Sequence, residues 1–321
     1  MKLDELIFFL VQQTMYFAIP LLVVALGGLF AERSGIVNIA LDGIMIIGAF
    51  TGIMFLQMVQ ATGMSGQGML LAALVVAALS GVIISAVHGF ASINMKADQT
   101  ISGTAINTFA PAFAIFVARM MTGVQQIPFK NDFLIRKVPV LGDIPVIGPM
   151  FFQNAYITTY LGVLILVASW VVLYKTRFGL RLRACGEHPQ AADSVGVNVY
   201  KMRYAGTLLS GALAGIGGVI FVVPTSTNFN ATVSGYGFLA IAVLIFGQWK
   251  PGRIALAALF FGFMKTLSVS YGLIPGIKDL SISGEIYKMV PCIATLIVLA
   301  FTSKNSAAPR AEGIPYDKGQ R

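Results

Sequence analysis

Residues 68–93 read GMLLAALVVAALSGVIISAVHGFASI and contain no Asp, Glu, Lys or Arg. A helix that crosses a lipid bilayer needs about 20 predominantly apolar residues, so this stretch is long enough to span one. Comparable apolar runs lie at residues 6–30, 36–59, 99–122, 156–174, 204–223, 235–248, 254–272 and 286–302. Together these nine runs predict an all-α, polytopic membrane protein with about nine transmembrane helices.

The composition excludes an ordinary water-soluble protein. Of 321 residues, 57% are hydrophobic and 11% are charged, and the mean hydropathy is +0.82. A soluble domain carries roughly a quarter charged residues. We therefore expect a single membrane domain over residues 1–303 and a polar tail over residues 304–321. The net charge of +9 comes from basic residues in short loops, a pattern that indicates loop topology and gives no reason to expect nucleic-acid binding.

The loop over residues 175–203 fixes the expected orientation. It holds six basic residues against two acidic ones, Glu187 and Asp193, and Lys and Arg are concentrated in cytoplasmic loops. Counting spans in both directions from this loop places the N-terminus outside and the C-terminus inside. The loop over residues 123–155 falls outside by this count, although it carries one excess positive charge.

Two of the predicted spans are interrupted. Residues 235–248 are short for a full crossing, and residues 27–48 contain glycines together with Glu32, Arg33, Asn38 and Asp42. Polar, Gly-interrupted segments are typical of discontinuous helices beside a transport path. A weak similarity between residues 35–48 and 235–247 leaves an internal two-fold repeat open.

The loop over residues 181–198 has the signals of a short helix. Pro189 suits the first helical turn, and Gly196 suits the residue after the end of a helix. Such a helix would present the small residues Ala191 and Ala192 to a groove on another protein. The alternative is an ordinary basic loop whose only role is in topology.

The spacing of five residues in this loop resembles the "EAA…G" coupling loop of ABC-importer permeases, in the branch for branched-chain amino acids, simple sugars and nucleosides: Glu187, Pro189, Ala191, Ala192 and Gly196. The stretch ERSGIVNIALDG at residues 32–43 is similar to a motif of the nucleoside-type members. Residues 206–218 and 241–252 also resemble this family. Gln190 stands where the family has an acid, and one N-terminal helix fewer is visible than in the sugar permeases.

The resemblance implies a multi-pass permease subunit in the bacterial cytoplasmic membrane that imports nucleosides. It implies three partners besides lipid: a cytoplasmic ATPase contacted through residues 187–196, including Asp193, a second permease of the same or a different kind, and an extracytoplasmic substrate-binding protein. The chain has no Gly-x4-Gly-Lys-[Ser/Thr] loop, so we expect ATP to be bound by the partner and this chain to be no enzyme. Simple sugars, riboflavin and branched-chain amino acids remain alternative substrates.

Several polar and aromatic residues are candidates for the substrate path. Asn38 and Asp42 lie four residues apart and so share a helical face; Asp42 could instead pair with Arg33 or cap a helix break. A polar stripe in the fourth span could contact substrate or join helices, and two aromatic residues beside the short span could stack on a flat ligand. The full set is Asn38, Asp42, Thr104, Asn107, Thr108, Tyr236 and Phe238.

No metal, cofactor or catalytic group is expected. His88 has no second ligand-forming residue at a suitable spacing, which favours a packing role, and Cys185 and Cys292 are too far apart to indicate a zinc cluster. An ion-coupled secondary transporter remains a rival interpretation, but it would favour more charged residues inside the spans. An intramembrane enzyme would need a nucleophile–base pair or metal cluster, and the sequence contains no recognisable one.

Overall fold

The computed structural model describes residues 3–273 and 307–319, together with Met289 and Ile293. The helices are α1 (Leu3–Arg33), α2 (Leu41–Ala61), α3 (Gln67–Gly89), α4 (Gln99–Thr122), α5 (Ile157–Lys175), α6 (Arg177–Glu187), α7 (Pro189–Ser194), α8 (Val199–Thr225), α9 (Tyr236–Phe246) and α10 (Pro251–Ser270). Four short strands lie in the loops: β1 (Ile127–Pro128), β2 (Ile135–Lys137), β3 (Gln153–Ala155) and β4 (Asn228–Phe229).

Seven helices in the described part of the chain are long and apolar enough to cross a membrane: α1, α2, α3, α4, α5, α8 and α10. The chain is therefore an all-α polytopic membrane protein, as the sequence predicts. A π-helical turn at Phe90–Asn94 extends α3. The ninth predicted span, residues 286–302, lies outside the described residues apart from Met289 and Ile293, so the count of nine stays a prediction.

The predicted span at residues 235–248 contains only a half-length helix. With 11 residues and a rise of 1.5 Å per residue, α9 is about 16 Å long, against about 30 Å of bilayer hydrocarbon. Irregular chain therefore completes the connection on both sides of α9. Gln248 and Trp249, which follow it, both have positive φ angles of 49° and 52°, a backbone conformation that non-glycine residues adopt rarely.

The core is formed by α1, α2 and α8, whose apolar windows are 89%, 61% and 72% buried. Small residues of α8 allow the backbones to approach closely: Ser210, Gly211, Ala214, Gly215 and Gly218 are all buried. A side chain added at Gly48 of α2 would collide with the backbone of Gly215. Small residues on one helix face are what such a close approach of membrane helices requires.

The outer helices expose apolar surface that only lipid or another membrane protein can cover. On α3, Leu79, Ile83 and Val87 are about 60% exposed (59%, 64% and 61%), and they follow one another at four-residue spacing on a single face. Only 22% of the apolar windows of α4 and α5 is buried. This surface is what a subunit embedded in a membrane requires.

The links that were expected in the cytoplasm meet at one end of the bundle, here called the α7 face. Arg33 at the end of α1 forms an ion pair with Glu187 at 3.4 Å and donates to the carbonyl of Trp249 at 3.0 Å. Lys96 in the α3–α4 link pairs with Asp317 of the tail at 2.6 Å. These contacts involve five separate parts of the sequence, which lie on one face.

The links that were expected outside meet at the other end, here called the opposite face. Gln60, after α2, donates to the carbonyl of Lys130 at 2.8 Å, and β1 pairs with β4 in antiparallel register. β2 and β3 form a second antiparallel pair within the long loop. The described loops thus lie at two ends of the bundle, while the sides of the membrane to which these ends belong stay a prediction. The short strands are features that the sequence did not predict.

Candidate functional site

The connection between α1 and α2 is a non-helical segment buried inside the bundle. In residues 34–40, Ile36 and Ala40 are fully buried and Asn38 is 1% exposed. Gly35 has a φ of +95°, which suits a glycine after a helix end. Backbone groups freed from helical bonding at membrane depth need partners within the protein. The interruption predicted for residues 27–48 therefore lies at 34–40.

Two side chains satisfy the backbone of Val37. Its N–H donates to Oε1 of Gln99 at 2.7 Å, and its carbonyl accepts from Nε2 of His88 at 3.1 Å. Because a carbonyl only accepts, Nε2 carries the proton and Nδ1 accepts from the hydroxyl of Ser102 at 3.0 Å. Both ring nitrogens of His88 thus have protein partners, as its expected packing role requires.

Asn107 of α4 bonds to the backbone on both sides of the junction between this segment and α2. Its Nδ2 donates to the carbonyl of Ile39 at 2.9 Å, and its Oδ1 accepts from the N–H of Gly43 at 2.7 Å. One side-chain amide therefore replaces two backbone hydrogen bonds where α2 begins. In this arrangement Asn107 joins helices, the second of the two roles that the sequence allows.

Asn38 is buried and only partly satisfied. Its Nδ2 donates to Oγ of Ser210 at 2.8 Å, which ties the segment to α8. Its Oδ1 has no hydrogen-bond partner among the described residues. Leaving a buried amide oxygen without a partner costs stability. Within the described residues, Oδ1 of Asn38 is therefore an unsatisfied acceptor beside the break.

Asp42 caps α9. Its Oδ1 accepts from the N–H of Gly237 at 2.9 Å, and a side chain at Gly237 would collide with the backbone of Asp42. Asp42 also lies in the first turn of α2, so its carboxylate lies between two helix N-termini, where a negative charge is favoured. Arg33 pairs instead with Glu187. Of the roles left open by the sequence, the helix cap is the one that the contacts describe.

Tyr236 and Phe238 differ in accessibility. Tyr236 is 2% exposed, its ring centroid lies 4.1 Å from that of Phe221, and its hydroxyl has no partner among the described residues. Phe238 is 49% exposed. The two rings therefore do not form a common platform, and Phe238 is the one available for a ligand or lipid.

Thr104 and Thr108 lie on the exposed side of α4. Their hydroxyls donate to carbonyls one turn earlier, at 2.9 and 3.0 Å. Phe109 stacks on Phe113 of the same helix at a centroid distance of 5.3 Å. One side of α4 is thus bonded to the break through Asn107, and the other presents the exposed side chains of Thr104, Thr108 and Phe109.

An open groove of about 550 Å³ on the opposite face lies between the end of α2 and the β1–β4 pair. The sequence analysis did not identify it, because its walls come from three distant segments. Its lining includes amides, one aromatic ring and one lysine: Gln57, Gln60, Phe129, Lys130 and Asn228.

The helix predicted after Pro189 is present as α7. Pro189 is its first residue, and Gly196, with a φ of +84°, follows its end. Before it, the hydroxyl of Thr176 accepts from the N–H of Gly179 at 3.1 Å and caps α6. The region therefore consists of two capped helices, α6 and α7, joined at His188.

One side of α7 faces its own protein and the other is exposed. Pro189 and Ala192 are buried, and Asp193 is half-buried. The exposed edge carries Gln190, Ala191, Ser194 and, just after the helix, Val195 and Gly196, with Val195 77% exposed. Of the two alanines expected to face a partner, Ala191 is accessible and Ala192 packs inward.

Glu187, the remaining candidate of the coupling loop, joins α6 to other elements. Besides its ion pair with Arg33, its Oε2 accepts from the N–H of Arg310 at 3.4 Å. The carboxylate side chain is 42% exposed, and ion pairs this accessible contribute about 0–1 kcal/mol. Its role here is to hold α6 in place beside the end of α1.

The site contains no candidate metal centre in the described parts of the chain, where no three His, Cys, Asp or Glu residues lie close enough to hold an ion. Its polar groups are mostly hydroxyls and amides, together with the carboxylates of Asp42 and Glu187 and the amine of Lys130.

Comparison with known proteins identifies the class. Residues 10–299 match the family model described as "Branched-chain amino acid transport system / permease component". The chain is 43% identical, over 325 residues and 100% of both proteins, to the guanosine ABC transporter permease protein NupQ of Bacillus subtilis. It is 41% identical, over 97% of both, to the nucleoside ABC transporter permease protein NupC of Lactococcus lactis.

A second permease of the same Lactococcus lactis strain, the nucleoside ABC transporter permease protein NupB, is 27% identical over 168 residues, which is 50% of this chain and 44% of that protein. No solved structure matches the chain.

Proposed function

The chain belongs to the permease family of branched-chain amino acid transport systems, and on this premise we propose that it translocates nucleosides as a subunit of an ATP-driven importer. The proposed substrate class rests on the similarity, over the full length of both proteins, to a guanosine permease. The groups available on the protein suit such a ligand, since hydroxyls and amides bond to ribose and base edges and aromatic rings stack on bases.

In this proposal, a separate ATPase binds α7 and displaces it during ATP hydrolysis. Its exposed edge, from Gln190 to Val195, is small and lightly charged, which suits insertion into a groove of a partner. Because α6 is bonded at Glu187 to the end of α1, a displacement of α7 would move α1, and with it the start of α2. The α7 face is then cytoplasmic, with the N-terminus outside and the C-terminus inside.

The substrate path in this proposal runs along the exposed side of α4. Thr104, Thr108 and Phe109 are exposed there, and a second permease facing this side would enclose a passage. That NupC and NupB occur in one organism favours a sister permease over a second copy. An extracytoplasmic binding protein would deliver substrate to the opposite face, where the groove beside β1 and β4 is open.

Reconstituted uptake tests the proposal. The permease, its sister and the ATPase are placed in liposomes, and uptake of labelled guanosine is measured with ATP inside and with the binding protein outside. We expect uptake that needs ATP hydrolysis and that unlabelled nucleosides inhibit. Inhibition by riboflavin, a simple sugar or a branched-chain amino acid, but by no nucleoside, would overturn the substrate. Uptake driven by an ion gradient without ATP would overturn the mechanism.

The path is tested by removing one hydroxyl. Thr108→Val keeps the shape of the side chain and should raise the KM of nucleoside uptake. The matched control is Thr207→Val, because Thr207 also donates to a carbonyl one turn earlier, at 2.9 Å, but is fully buried. Equal effects of both substitutions would mean that the hydroxyl of Thr108 has no specific role in the path.

A further inference from the structure

The C-terminal segment over residues 307–319 lies against the α7 face, although its hydrogen-bond partners are distant in sequence, from 59 residues for Gln248 to 221 for Lys96 and beyond. The N–H of Ala311 donates to the carbonyl of Gly186 at 2.8 Å, and that of Gly313 to the carbonyl of Gly35 at 3.2 Å. The first contact is with α6, just before α7, and the second is with the break after α1. The segment therefore joins the two parts of the protein that coupling would have to connect.

Tyr316 closes the inner side of α7. It is 4% exposed and forms a small apolar cluster with Cys185, Ala192 and Val199. Its ring also meets that of Tyr200 edge-on, at a centroid distance of 5.4 Å. A helix of six residues is unstable alone, so the position of α7 depends on what packs against Ala192.

Arg203, near the start of α8, anchors the same segment. Its side chain is 1% exposed, its Nη1 donates to the carbonyl of Ile314 at 3.0 Å, and its guanidinium lies 6.0 Å from the ring centroid of Tyr316. Nε and Nη2 make no hydrogen bond among the described residues. Burying a guanidinium with few hydrogen-bond partners is costly. The contacts of Arg203 with the tail offset part of this cost.

Two further contacts extend the attachment. Asp317 pairs with Lys96 in the α3–α4 link, so the tail reaches from α6 to the base of α4. Glu312 is hydrogen-bonded to Glu32 of α1 and lies close to Arg33; burial raises the pKa of Glu312 to about 7. Two carboxyl groups from distant parts of the sequence therefore adjoin at this contact.

We propose that residues 307–319 are an internal strap that positions α7 for the ATPase, with Tyr316 and Arg203 as the positioning residues. The coupling role rests on the proposed function, whereas the docking of the strap does not. The strap links α7 to the ends of α1 and α8 and to the base of α4, so that a push on α7 reaches the bundle as one movement. Without the strap, the Glu187–Arg33 ion pair would still join α6 to α1, but α7 itself would be held less firmly and would transmit less of the movement.

Cys185 reports on the docked strap directly. It is fully buried beneath Tyr316, and burial raises the pKa of its thiol to about 11, so the reactive thiolate is scarce at neutral pH. In a Cys292→Ser background, we expect Tyr316→Ala to raise the rate of maleimide labelling at least tenfold and Tyr316→Phe to leave it near the wild-type rate. Ile314→Ala is the matched control, because that tail side chain is 56% exposed and should change little.

The same variants are then compared in ATP-driven uptake. We expect Tyr316→Ala to lower the maximal rate several-fold with an unchanged KM for the nucleoside and an unchanged melting temperature of the bundle, and Tyr316→Phe to retain the rate. Labelling of Cys185 at the wild-type rate in Tyr316→Ala would overturn the docking. Faster labelling with undiminished uptake would overturn the positioning role. A wild-type protein without ATP-driven uptake would overturn the proposed function instead, and labelling would still decide the docking.

Discussion

Replacing Asn107 by Leu should destabilise the protein through the unwound segment between α1 and α2. The substitution removes the partners of two backbone groups, the carbonyl of Ile39 and the N–H of Gly43. A buried polar group left without a partner costs about 1–3 kcal/mol. Side-chain hydrogen bonds between membrane helices average about 0.6 kcal/mol, because alternative partners are found. Since this backbone is buried and not helical, we expect a loss near the lower limit for two groups, about 2–3 kcal/mol.

The measurement is reversible unfolding in mixed detergent and SDS micelles, followed by helical circular dichroism. A loss of about 2–3 kcal/mol lowers the folding equilibrium constant by about 30- to 140-fold. Thr108→Val is the control, because the hydroxyl of Thr108, the residue after Asn107, bonds only to a carbonyl of its own helix. This substitution should change stability by less than about 0.5 kcal/mol. If Asn107→Leu is equally neutral but abolishes uptake, the amide acts on substrate and its structural role is refuted.

Three further predictions concern the cap, the core and the strap. Asp42→Ala should cost about 0.5–2 kcal/mol of stability by uncapping α9, whereas Asp42→Asn, which keeps an acceptor, should cost less; equal losses in the unfolding assay would contradict the cap. Gly48→Val should prevent α2 from reaching Gly215 and abolish a monodisperse peak in detergent chromatography, and a normal peak would contradict the close approach. Glu312 binds its proton more tightly in the docked strap, with a pKa of about 7 against 4.5, so docking should weaken as pH rises from 4.5 to 7 and stay level above it. Cys185 should therefore label faster than in Glu312→Gln at pH 8, and the difference should narrow steadily as the pH falls from 7 towards 4.5; a constant ratio over this range would exclude the titration.

The positions of the membrane helices could be predicted because each is encoded locally. Length and polarity alone placed the fourth span at residues 99–122, where α4 runs from Gln99 to Thr122. The helix at Pro189 was predictable for the same reason, since Pro and Gly act on their own backbone. The apolar content of residues 235–248 did not predict where α9 begins and ends. The shortness of this run did indicate that it is not a simple membrane-spanning helix.

The roles of the polar residues could not be predicted, because they depend on partners that are distant in sequence. Asn107 is 68 residues from the carbonyl that it contacts, and Asp42 is 195 residues from the amide that it caps. The sequence could therefore only leave structural and substrate-binding roles open. The docking of Tyr316 was equally hidden, since a tail of low hydropathy contains no signal for where it binds.

Photo-crosslinking from α7 tests the central claim most directly, that this permease is driven through α7 by a separate ATPase. A photoreactive amino acid replaces Val195, which is 77% exposed beside α7, or Val146, which is 59% exposed on the opposite face. After irradiation of intact membranes, partners are identified by mass spectrometry. The account predicts an adduct with a nucleotide-binding subunit from position 195 that changes on adding ATP, and none from position 146. An adduct with that subunit from 146, or none from 195 in membranes that carry out ATP-driven uptake, would contradict it.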